Sequence, residues 1–142
     1  MKGYLNNPEA TKQAIDSSGW LHTGDIAYYD EDGDFFVVDR LKELIKVKGS
    51  QVSPTELEDL ILRHPAVADV AVIGIPDDYA GELPRAYVVK KPGTSMNEEE
   101  LKSFLHSKIA PYKQLKGGVH FVESIPKSHT GKTLRRELRA RV

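Results

Sequence analysis

Apolar residues along this chain switch between a helical and a strand rhythm, and each switch falls at a turn or capping signal. From Pro54 to about His64, Leu57, Leu60 and Ile61 recur at helical spacing. Ser53-Pro54-Thr55-Glu56 opens that helix as a capping box with proline at its first position, and Pro65 stops it. Val67 to Ile75 and Ala86 to Val89 are β-rich runs joined through Pro76-Asp77-Asp78-Tyr79-Ala80-Gly81. Asn97 with Glu100 opens a second helix carrying Leu101, Phe104, Leu105 and Ile109 on one side, ended by Pro111. Val119-His120-Phe121-Val122 reads as a third strand, and a last helix follows Thr130, with Leu134 and Leu138 four apart. The pattern predicts a small α+β domain, a three-stranded sheet packed by helices.

The first forty residues follow a separate pattern. Pro8 to Ile15 can form a short helix capped by Asn7, and Asp16-Ser17-Ser18-Gly19 is a turn cluster. Asp25-Ile26-Ala27-Tyr28-Tyr29 and Asp34-Phe35-Phe36-Val37-Val38 flank Asp32-Gly33, a strong hairpin signal. A lone hairpin is marginal in water. Residues 1–39 are therefore expected to be a β-hairpin remnant, the tail of a larger domain, and residues 40–142 a separate small domain. The chain reads as cut from something longer, because it opens on Gly3-Tyr4-Leu5 with hardly any lead-in.

Between the two blocks lies Asp39-Arg40-Leu41-Lys42-Glu43-Leu44-Ile45-Lys46-Val47-Lys48-Gly49-Ser50-Gln51, with Arg40, Lys42, Lys46 and Lys48 close together. Ile45 and Val47 alternate with Lys46 and Lys48, so a strand here packs one face and presents cations on the other. Gly49 lets the backbone turn or approach a ligand closely. The stretch reads either as a solvated basic edge strand or as a cationic surface for a ligand. Asp25, in Thr23-Gly24-Asp25, is either a turn aspartate or a binding carboxylate. If Thr130 caps the last helix, Lys132 lies in its first turn, where a cation opposes the helix dipole. Such a lysine is either tolerated on the surface or kept for an anion. Arg135, Arg136, Arg139 and Arg141 suit the negative end of that helix.

Composition narrows the classes. The chain has 142 residues, 39% hydrophobic and 29% charged, with a net charge of -1, which argues against a general nucleic-acid or acidic-membrane surface. Without cysteine there are no disulfides and no thiolate metal sites, and the five histidines show no ligand spacing, so no protein-built metal site is expected. No G-x-x-x-x-G-K-[ST] loop is present, and adjacency of Ser128 and His129 does not make a catalytic triad. No apolar run approaches the ~20 residues that span a bilayer, and the start is no signal peptide. A cytoplasmic or peroxisomal location is compatible, with no targeting signal in the chain and no Ser-Lys-Leu ending.

Taken in order, the motifs form a constellation: Gly3-Tyr4 with Pro8-Glu9, Gly19-Trp20-Leu21-His22-Thr23-Gly24-Asp25, Asp39-Arg40-Leu41-Lys42, Lys46-Val47-Lys48-Gly49, Pro54-x-Glu56-Leu57-Glu58, and Pro126-Lys127 with Thr130-Gly131-Lys132. The sequence closely resembles the C-terminal end of acyl-adenylate-forming enzymes, most of all the 4-coumarate–CoA ligase type and firefly luciferase. The resemblance implies an ATP-dependent, AMP-forming carboxylate–CoA ligase that makes an acyl-adenylate and then a coenzyme A thioester. Its small-molecule partners are a carboxylic acid, ATP with Mg2+ and coenzyme A, and its protein partner is the N-terminal domain of the same chain. That domain carries the phosphate loop, the acyl pocket and most adenine contacts, so the isolated piece is expected to be inactive.

The resemblance also implies roles. Asp25 matches the aspartate at the ribose hydroxyls of ATP, and Arg40 the arginine at the same nucleotide. Lys42 matches the hinge on which a mobile small domain swings, and it lies near the acyl-adenylate. Lys132 matches the catalytic lysine of adenylation. After the swing, Lys46 and Gln51 match residues facing the acyl-adenylate, and Lys48 and Gly49 the edge of the coenzyme A channel. Two lysines on opposite faces of one domain then serve two half-reactions in turn. Two other readings compete: a light-emitting monooxygenase on the same scaffold, and a non-catalytic module that binds coenzyme A or a partner.

Overall fold

A computed structural model describes all 142 residues, and they form two compact units, Met1–Lys42 and Glu43–Val142. In the first unit, helix α1 (Pro8–Ala14) starts where expected: the Asn7 side chain accepts the Ala10 N–H at 3.0 Å, and Pro8 leads the first turn. Strands β1 (Asp25–Tyr29) and β2 (Phe35–Arg40) pair antiparallel with Asp25 opposite Arg40. The carboxylate of Asp30 closes the turn by accepting the N–H groups of Asp32 and Asp34. Tyr28 stacks on Phe36 across the ladder, with ring centroids 5.0 Å apart, and Tyr29 meets Phe35 at 5.8 Å. These rings remain largely exposed, so the hairpin encloses no core.

The second unit is built on a five-stranded sheet. Its strands are β3 (Ile45–Val47), β4 (Ser50–Val52), β5 (Val67–Asp77), β6 (Gly81–Lys90) and β7 (Val119–Phe121). Their order is β4-β3-β6-β5, with β7 running parallel to β6. The α+β class is as expected, but the sheet has five strands rather than three. The alternation of Ile45 and Val47 marks a strand, yet two three-residue strands are too short to count as part of a sheet on pattern alone. The connection through Pro76–Gly81 also shrinks: Asp77 accepts the N–H groups of Tyr79 and Ala80, so β5 and β6 form one long hairpin. Pro76 and Pro84 lie inside these strands, which is why the strands read as shorter in the sequence.

Helices cover both faces. Leu57 and Ile61 of α2 (Pro54–Leu62) and Leu101 and Leu105 of α3 (Glu98–His106) pack with Val70, Val72, Ala86 and Val88. Ala71, Ile73, Ile75 and Tyr87 point the other way, onto Ile125 and Leu138. Both N-terminal caps form, though differently: Ser53 accepts the Glu56 N–H while the Glu56 carboxylate binds Lys113, and Asn97 and Glu100 complete a reciprocal capping box. The last helix, α4, is shorter than expected. It spans Arg135–Arg139, with Leu134 at its N-cap position, so Thr130 does not cap it and Lys132 is not in its first turn. The reason is a tight hairpin-like loop: Lys127 bridges Thr133, the Ser128 N–H donates to the Lys132 carbonyl at 2.8 Å, and Gly131 takes φ +81°.

Candidate functional site

The β3–β4 hairpin gathers four of the eight residues singled out in the sequence. Ile45, Val47 and Val52 turn inward and are fully buried, which fixes the register, because a one-residue slip would expose all three. Lys46 and Gln51 are therefore directly opposite each other on the outward face. The Lys46 N–H points toward β6 rather than β4, which makes Lys46 and Gln51 a non-hydrogen-bonded pair, the kind whose side chains stand closest. At the tip, Lys48 (φ +49°) and Gly49 (φ +80°) make a two-residue turn with both central residues left-handed.

That conformation is costly for Lys48, and its surroundings hold it. The Lys48 N–H donates to the Ala80 carbonyl at 2.8 Å, and its ammonium lies 4.1 Å from the centre of the Tyr79 ring. At Gly49 nothing lies within 4 Å of where a Cβ would stand, so the backbone there is open to close approach. The ammonium group of Lys46 is exposed and forms no ion pair, unlike those of Lys102, Lys113 and Lys127.

Lys132 lies on a different loop. Its main chain is fixed at both ends, with the N–H donating to Ser128 Oγ at 3.1 Å, while its side chain is exposed and unpaired. The loop is anchored at its start by an ion pair between Lys127 and Asp69, and beyond its end by Arg135. The guanidinium of Arg135 grips both oxygens of Glu58 at 2.8 and 2.7 Å and reaches the Val72 carbonyl, while Glu58 accepts the Val72 N–H. Arg135 is thus a structural clasp between α4, α2 and β5, not a neutraliser of the helix dipole. The dipole argument for an anion at Lys132 falls with the cap; an exposed, unpaired cation on a braced loop remains.

In the first unit, Asp25 and Arg40 come together across β1 and β2, Nε to Oδ1 at 3.3 Å, and the Leu41 N–H donates to the Gly24 carbonyl. Lys42 is exposed within the 3-10 turn Leu41–Glu43. Sequence reasoning gave no supporting role to Glu58, Ser128 or Glu82: the partners of Glu58 and Glu82 lie far along the chain, while Ser128 holds Lys132 from four residues away. No three histidine or acidic side chains converge to hold a metal ion. No helix is long and apolar enough to cross a membrane.

Residues 56–132, more than half of the chain, match the family described as AMP-binding enzyme C-terminal domain. The chain belongs to that family. It is 56% identical over 142 residues to 4-coumarate-CoA ligase 1 of Narcissus pseudonarcissus, covering all of this chain and 26% of that protein. It is also 56% identical over 139 residues to the luciferin 4-monooxygenase of Nipponoluciola cruciata, covering 98% of this chain and 25% of that protein. In three dimensions it overlays ATP-bound MatB of Rhodopseudomonas palustris with a TM-score of 0.92 at 34% identity, covering 99% of this chain and 28% of the other. The chain thus spans about a quarter of the length of the curated relatives it matches. Its two units correspond together to the C-terminal part of these AMP-binding enzymes.

Proposed function

We propose that this chain is the C-terminal portion of an ATP-dependent, AMP-forming carboxylate–CoA ligase of the 4-coumarate–CoA ligase kind. The observation that carries the reading is the β3–β4 hairpin: an unpaired lysine opposite a glutamine on a rigid strand pair, beside an open, glycine-bearing tip. In the first half-reaction the substrate carboxylate attacks the α-phosphorus of ATP and pyrophosphate leaves. Asp25, oriented by Arg40, accepts hydrogen bonds from the ribose hydroxyls. Lys132 brings its positive charge to the carboxylate and phosphate oxygens as negative charge builds on them. In the second half-reaction the coenzyme A thiolate attacks the acyl carbonyl and AMP leaves. Lys46 and Gln51 then face the acyl-adenylate, and Lys48 and Gly49 border the path of the pantetheine arm.

The first unit is then the tail of a larger adenylation domain, and its exposed aromatic ladder is the surface that domain covers. The second is a small domain that swings about Lys42 between the half-reactions. In this reading the Mg2+ that accompanies ATP is held mainly by the larger domain. The isolated chain, without the larger domain, does not turn over. A monooxygenase on the same scaffold is the second reading, favoured by the equal identity to the luciferin 4-monooxygenase.

The test uses the full-length protein with ATP, Mg2+ and a panel of hydroxycinnamic acids. Acid-dependent pyrophosphate exchange, followed by a thioester on adding coenzyme A, is the expected result. Adenylation without any thioester, together with light from luciferin and oxygen, would favour the second reading.

A further inference from the structure

We infer that Glu82 is a positioning residue for thioester formation, holding the β3–β4 hairpin at the angle its side chains need. This rests on the proposed ligase reading. Strand β3 joins the body of the sheet thinly, because its ladder to β6 contains one residue pair, Val47 with Gly81. Beyond that pair the strands diverge, and the Lys46 N–H meets no main-chain carbonyl. It donates instead to Glu82 Oε2 at 2.8 Å. A side chain thus replaces the missing rung of the ladder, at the residue whose own side chain faces the acyl-adenylate.

The space for that carboxylate is built into the fold. Gly74 and Glu82 lie on the same face of the β5–β6 hairpin, next to each other on the diagonal. A Cβ at Gly74 would stand 3.0 Å from the Glu82 carboxyl carbon, 3.1 Å from its Oε1 and 3.0 Å from Ile45 Cγ2. Gly74 does not need a left-handed backbone, as its φ is not positive. Its lack of a side chain is used only for room, in the middle of a strand where glycine weakens pairing. On the other flank, a Cβ at Gly81 would stand 3.3 Å from the Lys46 carbonyl oxygen, so the strand start is also cleared for β3. Glu82, Gly74 and Gly81 form one seat for Lys46, with Lys48 held beyond it by Ala80.

Since Lys132 sits on another loop, loosening this seat acts on the second half-reaction alone. In the full-length protein, Glu82→Ala is expected to slow thioester formation from supplied acyl-adenylate by about 10- to 100-fold, the scale of a small misplacement of a catalytic group. The loss falls in kcat more than in KM for coenzyme A, and pyrophosphate exchange stays within about twofold. Glu82→Gln keeps an acceptor oxygen and restores most of the transfer rate. Gly74→Ala, which displaces the carboxylate without removing it, lowers transfer selectively in the same way. Amide hydrogen exchange over residues 44–48 gives a readout free of activity: faster in Glu82→Ala, near normal in Glu82→Gln. Equal loss in both half-reactions, no loss in either, or unchanged exchange in Glu82→Ala overturns the inference. A parent protein that makes no thioester at all overturns the ligase reading instead, and the exchange data then still judge the tether.

Discussion

At Glu98 one carboxylate joins α3 to β7: Oε1 accepts Lys102 Nζ at 2.6 Å and the Val119 N–H at 3.2 Å. The hydrogen bond from Lys102, more than any other contact, lowers its pKa from the ordinary 4.5, and desolvation opposes the shift only in part. A carboxyl whose pKa falls on folding stabilises the fold while ionised. That contribution is complete above 4.5 and disappears as pH drops through the lowered native value. Glu98→Gln keeps an acceptor for Val119 and loses the charge, so it should lower Tm slightly at pH 7 and converge with the parent protein in melts run progressively further below pH 4.5. At the same scale, the sequence made Lys46 and Gln51 visible only in part. The alternation around Ile45 and Val47 shows which way Lys46 points, whereas Gln51 becomes its opposite number through a turn with Lys48 left-handed. Glu82 left no trace in the pattern, because its partner is a main-chain N–H 36 residues away.

Among the elements, the starts of α2 and α3 were readable because their capping residues and apolar spacing agree, but both helices stop early: α2 ends at Leu62 and α3 at His106, which leaves Ile109 outside it. The start of α4 was not readable. Thr130 and the Leu134–Leu138 spacing suggest a helix from residue 130, but the hairpin closed by Ser128 and Lys132 takes up the chain first. What fixes α4 is long-range: Leu138 in the second core cluster, and Arg135 on Glu58, both largely shielded from solvent. Glu58→Ala would strand the guanidinium and free the Val72 N–H, and should cost about 3 kcal/mol, in the range for breaking a shielded pair by removing one partner. Urea unfolding would measure it. A loss below about 1 kcal/mol would mean that the clasp is an ordinary surface pair.

On the scale of the whole molecule, the chain divides at Lys42 and Glu43, where the 3-10 turn leaves β2. A hinge works when one or two backbone torsions change widely while the packed parts stay rigid. Lys42→Pro in the full-length protein restricts φ to about −65°. It should leave pyrophosphate release largely intact and suppress thioester formation. Transfer at the normal rate in a stable variant would place the swing elsewhere. The central claim is that one small domain carries two lysines, Lys46 on strand β3 and Lys132 on a separate loop, each for its own half-reaction. The most direct measurement sets Lys132→Ala beside Lys46→Ala in the full-length protein, assaying acid-dependent pyrophosphate exchange and, separately, thioester formation from supplied acyl-adenylate. The account predicts a crossed result: Lys132→Ala loses about 10²–10³ in exchange and little in transfer, and Lys46→Ala the reverse. Equal losses of both activities in either variant would contradict it.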